Sequence, residues 1–424
     1  VANNWQLAEA VNLRPEAFGG MAFHREHGIT LEVDVEAYRF LCSYLAPQPL
    51  PQPEHPAGYL VPQLVHLGFL RPTDTCSAQA KSVPEVLWLG NDCTLSAPET
   101  VHLAITTRCN LLCPGCYALQ PSAGPELTPA ELCGLIDQWS QMRIFQLAVG
   151  GGEPLLYEGL FEVLSYARQQ GMVPNLTTNG VLLTAEVVRR LEEAGVSKVN
   201  LSWNGPGHTH RQRSQVVRQA LPLLLDSTLQ VGVNLLVTST MIPSLSDVLA
   251  QLQKLGLRQV TLLRPKPPTV PTKTSRAWYH SNRLRHVDLL RLRTILSSWR
   301  GNLKLEVGSA LVGLMGNVPP STLRQRAVYG CAAARRICTV WPDGRVSPCS
   351  FLADLSAGNV HRTAFAELWQ HGRNWHALRD PTARPQGGCI GCTIGSQCGG
   401  ACCVARYEHS DLFAGDAECP HYKY

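Results

Sequence analysis

No apolar run in the sequence approaches the roughly 20 residues that a bilayer-crossing helix needs, which excludes a membrane-spanning helix as its organising element. The first thirty residues, with Glu16, Arg25 and Glu26 among them, lack the pattern of a secretory signal, so a cytoplasmic protein with no membrane partner is expected. Concentrated charge is missing too. The formal net charge is only +5 and is spread along the chain, which speaks against a nucleic-acid partner, since nucleic-acid platforms carry a basic face. There is no tandem repeat. What the sequence does have is cysteine: 16 residues, 13 of them beyond position 100 and nine between 331 and 419. In a long chain of cytosolic character thiols stay reduced, so this density points to metal and not to disulfides.

At 424 residues the chain favours two or three domains. Composition divides it into blocks at 1–95, 96–310 and 311–424. In the first, Ile29, Leu31 and Val33 alternate with Thr30 and Glu32, which predicts a strand over Gly28–Val33. A helix over Val35–Leu45, a proline-rich break at Pro47–Pro56 and a helix near Tyr59–Leu70 follow. In the second block, strands expected at 101–106, 144–149, 172–177, 197–203, 230–238 and 258–264 alternate with helices near 128–142, 158–170, 184–194, 211–225 and 244–255. That order implies an α/β fold with a parallel sheet, and six units suit a partial (β/α)6 TIM barrel with its chemistry at the C-terminal strand ends. The proline-rich, basic segment from Arg264 to His280 reads as a long loop, before a helix over 284–299.

Directly after the first barrel strand, Cys109, Cys113 and Cys116 place three thiols in a loop that Pro114 and Gly115 keep irregular. Three thiolates hold three irons of a [4Fe-4S] cubane and leave the fourth iron open. This Cys-x3-Cys-x2-Cys spacing, with Tyr117 beside it, resembles the signature of the radical S-adenosylmethionine (SAM) superfamily. The resemblance implies that the open iron chelates SAM and that an electron from the cluster cleaves it to a 5′-deoxyadenosyl radical. Further segments fit. Gly150-Gly151-Gly152-Glu153-Pro154 is similar to the superfamily segment that binds the SAM amino group, with Glu153 as an anionic acceptor. Thr178 and Asn179, at the third strand end, and Ser202 and Asn204, at the fourth, resemble segments lining the ribose and carboxylate, although Trp203-Asn204 departs from the usual Leu-Asp. Among the arginines that follow, Arg213 or Arg218 is a candidate partner for the SAM carboxylate.

The C-terminal thiols run Cys331-x6-Cys338-x10-Cys349, then Cys389-x2-Cys392-x5-Cys398-x3-Cys402, then Cys419. Taken alone, Cys389–Cys402 also suits structural zinc. The whole resembles the SPASM iron–sulfur extension of radical SAM enzymes that modify peptides. That resemblance implies auxiliary cluster I on Cys331, Cys338, Cys349 and Cys402 and auxiliary cluster II on Cys389, Cys392, Cys398 and Cys419, giving three [4Fe-4S] clusters in all. Cys403 is left over, to replace Cys402, to donate a hydrogen atom in catalysis, or to do nothing. Cys42, Cys76, Cys93 and Cys133 lack ligand spacing.

The first block resembles the leader-recognition domain of ribosomal-peptide pathways, a winged helix-turn-helix fold that binds its peptide as an added strand. The expectation is a radical SAM oxidoreductase that modifies a precursor peptide, by cross-linking, epimerisation or excision, with a donor such as flavodoxin or ferredoxin. A protein oxidase similar to sulfatase maturases is the alternative.

Overall fold

The computed structural model describes residues 4–51, 58–73, 90–91, 94–116, 124–204, 210–268, 271–315, 330–380, 386–406 and 411–422. The chain opens with β1 (Asn4–Leu7), β2 (Val11–Glu16), β3 (Gly19–His24) and β4 (Ile29–Val33). Helices α1 (Val35–Ser43) and α2 (Val61–His66) and strand β5 (Leu70–Thr73) follow. Strands β2, β3 and β4 form an antiparallel sheet with β4 at its edge, and β5 returns to pair with β1. Asp34 starts α1 by accepting a hydrogen bond from the Ala37 amide at 2.8 Å, and Tyr38, Phe40, Leu41 and Tyr44 pack against Leu13, Ala22 and Phe69. A two-residue hairpin, β6 (Gly90–Asn91) and β7 (Thr94–Leu95), leads into the next block.

There, β8 (Thr100–Thr106), β9 (Gln146–Gly151), β10 (Val173–Thr178), β11 (Lys198–Asn204), β12 (Gln230–Leu236), β13 (Gln259–Leu263) and β14 (Lys304–Val307) lie side by side in chain order. All are parallel, as the alternation of strand and helix requires. Helices α3 (Pro129–Gln141), α4 (Leu160–Gln169), α5 (Ala185–Glu193), α6 (His210–Leu225) and α7 (Leu245–Lys254) connect them. The expected strands and helices fall within a few residues of these limits, while β14 is an addition. Two further helices, α8 (Lys273–Asn282) and α9 (His286–Ser298), precede it. The stretch expected to be loop therefore contains α8, begun by Thr272, whose side chain accepts from the Ser275 amide at 3.0 Å.

One face of each parallel strand is apolar and covered by helices. Leu103, Leu147, Val149, Leu176, Val199, Leu201, Val233, Val260 and Leu262 share one core with α3 to α7. The alternate residues, His102, Asn175, Thr177, Asn200, Ser202 and Asn234, are half-buried on the opposite face. The C-terminal block extends the same sheet: β15 (Ile337–Val340) pairs parallel with β8, and β16 (Arg345–Ser347) and β17 (Gly358–Asn359) continue antiparallel.

The first block is locked to the N-terminal strand ends, the end of the sheet opposite the cysteine loop. Phe23 stacks on Phe145, just before β9, at 5.0 Å between centroids, and Met21 packs with Val173 at the start of β10. Between them Arg14, fully buried, donates to Glu16 at 2.7 Å and to the carbonyls of Pro98 and Arg143 at 3.0 and 3.1 Å. Glu16 in turn accepts from the Ser96 amide at 2.7 Å. Removing one partner leaves the other charge buried alone, so Arg14→Met should cost about 3–5 kcal/mol. Chemical denaturation of the full chain checks this, and a loss below 1 kcal/mol would show that the docking does not depend on the pair.

Candidate active site

The cysteine loop leaves β8 at the C-terminal rim of the parallel sheet, where Gly151, Thr178 and Asn204 end their strands. Its first residues are fixed by Glu126, whose carboxylate accepts from the Thr106 hydroxyl and from the Thr107 amide at 3.1 Å, and pairs with Arg108 at 3.4 Å. Cys109 is exposed and Cys113 and Cys116 are half-buried. The Cys116 amide donates to the Cys113 carbonyl at 3.1 Å, and the Gly115 backbone lies directly against the indole of Trp278 from α8, so any side chain at 115 would collide with it.

The glycine turn after β9 is built to approach this loop. The Gly152 and Glu153 amides donate to the carbonyls of Thr106 and Arg108, both at 2.8 Å. Gly151 has φ of 115°, a conformation open to glycine. A Cβ at Gly152 would run into the Arg108 carbonyl. Gly152→Ala should therefore displace the cysteine loop and weaken SAM binding at least tenfold while leaving the apolar core intact. Calorimetric titration of the reconstituted protein with SAM checks it; wild-type affinity would mean that the turn does not shape the site.

Glu153 differs from the expected ligand acceptor. Its carboxylate is fully buried and accepts from the Thr178 hydroxyl at 2.7 Å, the Asn179 amide at 2.8 Å and the Leu155 amide at 3.3 Å, while burial pushes its pKa up. It ties two rim loops together. Thr178 is buried with it, whereas Asn179 turns outward, donating to the Asn110 Oδ1 at 2.7 Å with Cys109 Sγ 4.0 Å away. Gly150 has open space on its Cβ side, and Ser202 is half-buried on the polar face. Arg218 is not brought to the rim: it is exposed on α6 and reaches Gln251 on α7 at 3.4 Å. The side chains of Asn204 and Arg213 lie outside the described part, as do Tyr117, Cys76 and Cys93.

Two further groups of thiols stand beyond β14. Cys389, Cys392, Cys398 and Cys419 line a cavity of about 310 Å³ together with Arg264, Asp416 and His421. Gly313 closes one wall against Cys419, where an added Cβ would come within 2.8 Å of the Sγ. Arg264 Nε and His421 Nε2 are buried there with no hydrogen-bond partner among the described residues. Burial pushes the Cys398 thiol up to about 12 and that of Cys419 up to about 11, so ionisation of these thiols is coupled to the arrival of positive charge. Among the described residues no three His, Cys, Asp or Glu side chains converge as a single metal ion requires. The thiols are spaced around a volume, which suits a multi-iron cluster better than zinc.

In the other group Cys331, Cys349, Cys402 and Cys403 share one small buried cluster. Cys338 is not among them; it is buried in the main core with Val340, Trp369 and Trp375. The set expected to hold cluster I is thus brought together only in part. The proline-rich segment after β13 serves both groups: Arg264 pairs with Asp416 at 2.6 Å beside the first cavity, and the charges of Cys402, Cys349, Cys331 and Cys403 all act on the Lys266 ammonium. Neither role was legible from composition, because a proline-rich basic stretch looks the same whether solvated or buried.

Residues 103–262, from β8 to β13, match the radical SAM superfamily, and residues 331–393 match the SPASM iron–sulfur cluster-binding domain. The chain is a radical SAM enzyme. Its cofactors are SAM and [4Fe-4S] clusters. The enzyme is 26% identical to the mycofactocin maturase MftC of Mycolicibacterium smegmatis over 77% of its own length and 83% of that protein. It is 24% identical to an AdoMet-dependent heme synthase of Nitratidesulfovibrio vulgaris over 75% of its length and 90% of that protein. In architecture it is similar to Streptococcus suis SuiB bound to its precursor peptide SuiA, with a TM-score of 0.70 and 16% identity, covering 98% of this chain and 99% of that one. Both N-terminal and C-terminal blocks lie within that overlap.

Proposed function

We propose that the enzyme matures a ribosomally made precursor peptide by oxidative cross-linking of a core residue. The observation that carries the reading is the edge of β4, which among the described residues pairs with β3 alone, in a small sheet outside the parallel one, a place where a leader can add as a strand. On this reading residues 1–95 are a winged helix-turn-helix recognition domain, and the open parallel sheet is the wall of a partial (β/α)6 barrel. The similarity to MftC and to the peptide-bound SuiB supports a peptide substrate, while the similarity to a heme synthase supports only the shared chemistry.

Cys109, Cys113 and Cys116 would hold the first cluster, with SAM between the Gly150–Gly152 turn, Asn179 and Ser202. When bound, cluster and SAM supply a strong hydrogen-atom abstractor, fed by a donor such as flavodoxin or ferredoxin. The chain's part is to fix the loop through Glu126, Gly152 and Trp278 and to tie the rim through Glu153. After hydrogen-atom abstraction, cross-linking releases one further electron and a proton, and clusters held on the two auxiliary groups of thiols would accept the electron. Epimerisation needs an accessible hydrogen donor. Cys403, the candidate thiol, is 1% exposed and has Cys331 Sγ 3.4 Å from its own, so it does not present itself to a peptide.

Incubation with the precursor encoded near the gene tests the reading, the expected product being two hydrogens lighter per cross-link. A Cys392→Ala, Cys398→Ala variant should retain SAM cleavage but lose at least 90% of this product; normal product from a variant shown to lack that cluster would remove the electron-sink role.

A further inference from the structure

We propose that auxiliary cluster I is ligated by Cys331, Cys349, Cys402 and Cys403, and that Cys338 is a core residue without a ligand role. The proposal rests on reading the C-terminal thiols as cluster ligands and concerns which of them act.

The register of the sheet decides against Cys338. Parallel β15 and β8 align Cys338 with Val101, Thr339 with His102 and Val340 with Leu103. Neighbours across a ladder point to the same side, and successive residues point to opposite sides. Val101, Leu103, Cys338 and Val340 accordingly all sit in the helix-covered core. Thr339 shares the side of His102, and its hydroxyl meets Ser350, next to Cys349, at 3.1 Å. Ser350 brings its neighbour Cys349 to that second side, and Lys266, on which the pocket's thiols act, also acts on His102 there. For Cys338 to join those thiols, β15 would have to shift by one residue, which would also move Val340 out of the core. Its charged neighbour is Arg379, whose guanidinium is held over Trp369 and Trp375 and donates to the Ala334 carbonyl.

Cys403 stands where a fourth ligand is needed. It begins the short helix Cys403–Arg406, is buried, and has its Sγ 3.4 Å from that of Cys331. Ala401, in the left-handed region with φ of 58°, turns the chain so that the two consecutive cysteines both enter the pocket. The pocket also holds a counter-charge. Lys266 has its Nζ 4.2 Å from the Phe351 ring centroid, and the charges that act on it most strongly are those of these four thiols. A cubane on four thiolates carries net negative charge, and burying that charge without a cation would be costly.

Iron analysis and EPR of the anaerobically reconstituted full chain test the assignment. Wild type should hold about twelve irons as three cubanes. Cys338→Val, which keeps an apolar side chain in the core, should retain that iron and the spectrum of the reduced protein. Cys403→Ala should lose about a third of the iron, or one iron with a three-iron signal in the oxidised protein. Cys403→Ser, which keeps the volume and offers an oxygen ligand, should retain iron with an altered spectrum and guards against misfolding of the alanine variant. Wild-type iron and spectrum in both Cys403 variants, or loss of a cluster in Cys338→Val with its fold intact by circular dichroism, would overturn the proposal. A wild type with only about four irons would instead overturn the reading of the C-terminal thiols on which it rests.

Discussion

Replacing Cys109, Cys113 and Cys116 together with alanine should remove about four irons per chain and reduce SAM cleavage to the level of a control without enzyme. The whole effect is expected because the described residues of the rim offer no substitute ligand. Asn110 and Asn179 are already hydrogen-bonded to one another, and Glu153 is buried and satisfied by three donors. Stability should be little changed. Cys109 is exposed, its two partners are half-buried, and none belongs to the main core, so the variant loses no large apolar burial. Circular dichroism and auxiliary-cluster iron provide the internal check. Reductive cleavage of SAM by a triple variant that lacks the four irons would sink the assignment of this loop.

Thr30→Pro should weaken leader binding by about tenfold or more while peptide-independent SAM cleavage is unchanged. The argument comes from register. The two-residue connection between Glu16 and Gly19 makes that pair hydrogen-bonded, and bonding alternates from there. Gly20, Ala22 and His24 therefore bond to Val33, Leu31 and Ile29, which leaves the amide of Thr30 facing the open edge of β4. Proline is tolerated at such an edge but deletes a donor that an incoming strand would use. Thr30 also donates its hydroxyl to Glu99 at 2.8 Å, so Thr30→Val separates that contact from the amide and should bind the leader normally. Fluorescence anisotropy with a labelled leader reads both. Unchanged affinity in Thr30→Pro would remove β4 as the receiving strand. Deleting residues 1–95 is a poorer test, because it would expose Phe145 and Val173 and strip the buried Arg14 network from the sheet.

The site lies at the end of the sheet away from the first block. Glu99, just before β8, accepts from Thr30 and pairs with Arg336, which also pairs with Glu32. A leader added to β4 therefore lies near the junction of all three blocks. The seven residues of β8 separate it from the cysteine loop, at roughly 3.3 Å per residue. A precursor must be long enough to span that distance.

The alternation of strands and helices from β8 to β13 was legible because period-2 and period-3.6 apolar patterns survive in any context that buries one face. The candidate loop for the first cluster was legible for a different reason: its three cysteines fall within eight residues, where spacing in sequence is spacing in space. Strands β2 and β3 were not read. Arg14, Pro15, Glu16 and paired glycines look like a turn, and only Pro98, Ser96 and Arg143, distant in sequence, make two buried charges affordable there. The same limit explains α8, whose proline-rich approach hid a helix that brings Trp278 to Gly115. Cysteine spacing, read beside the first cysteine loop, was enough to expect iron–sulfur clusters in the C-terminal block, which matches a cluster-binding domain. Which cysteines share a pocket was decided only by tertiary structure, because the face a strand residue presents depends on its partner's register, and β15 takes its register from β8, more than two hundred residues earlier.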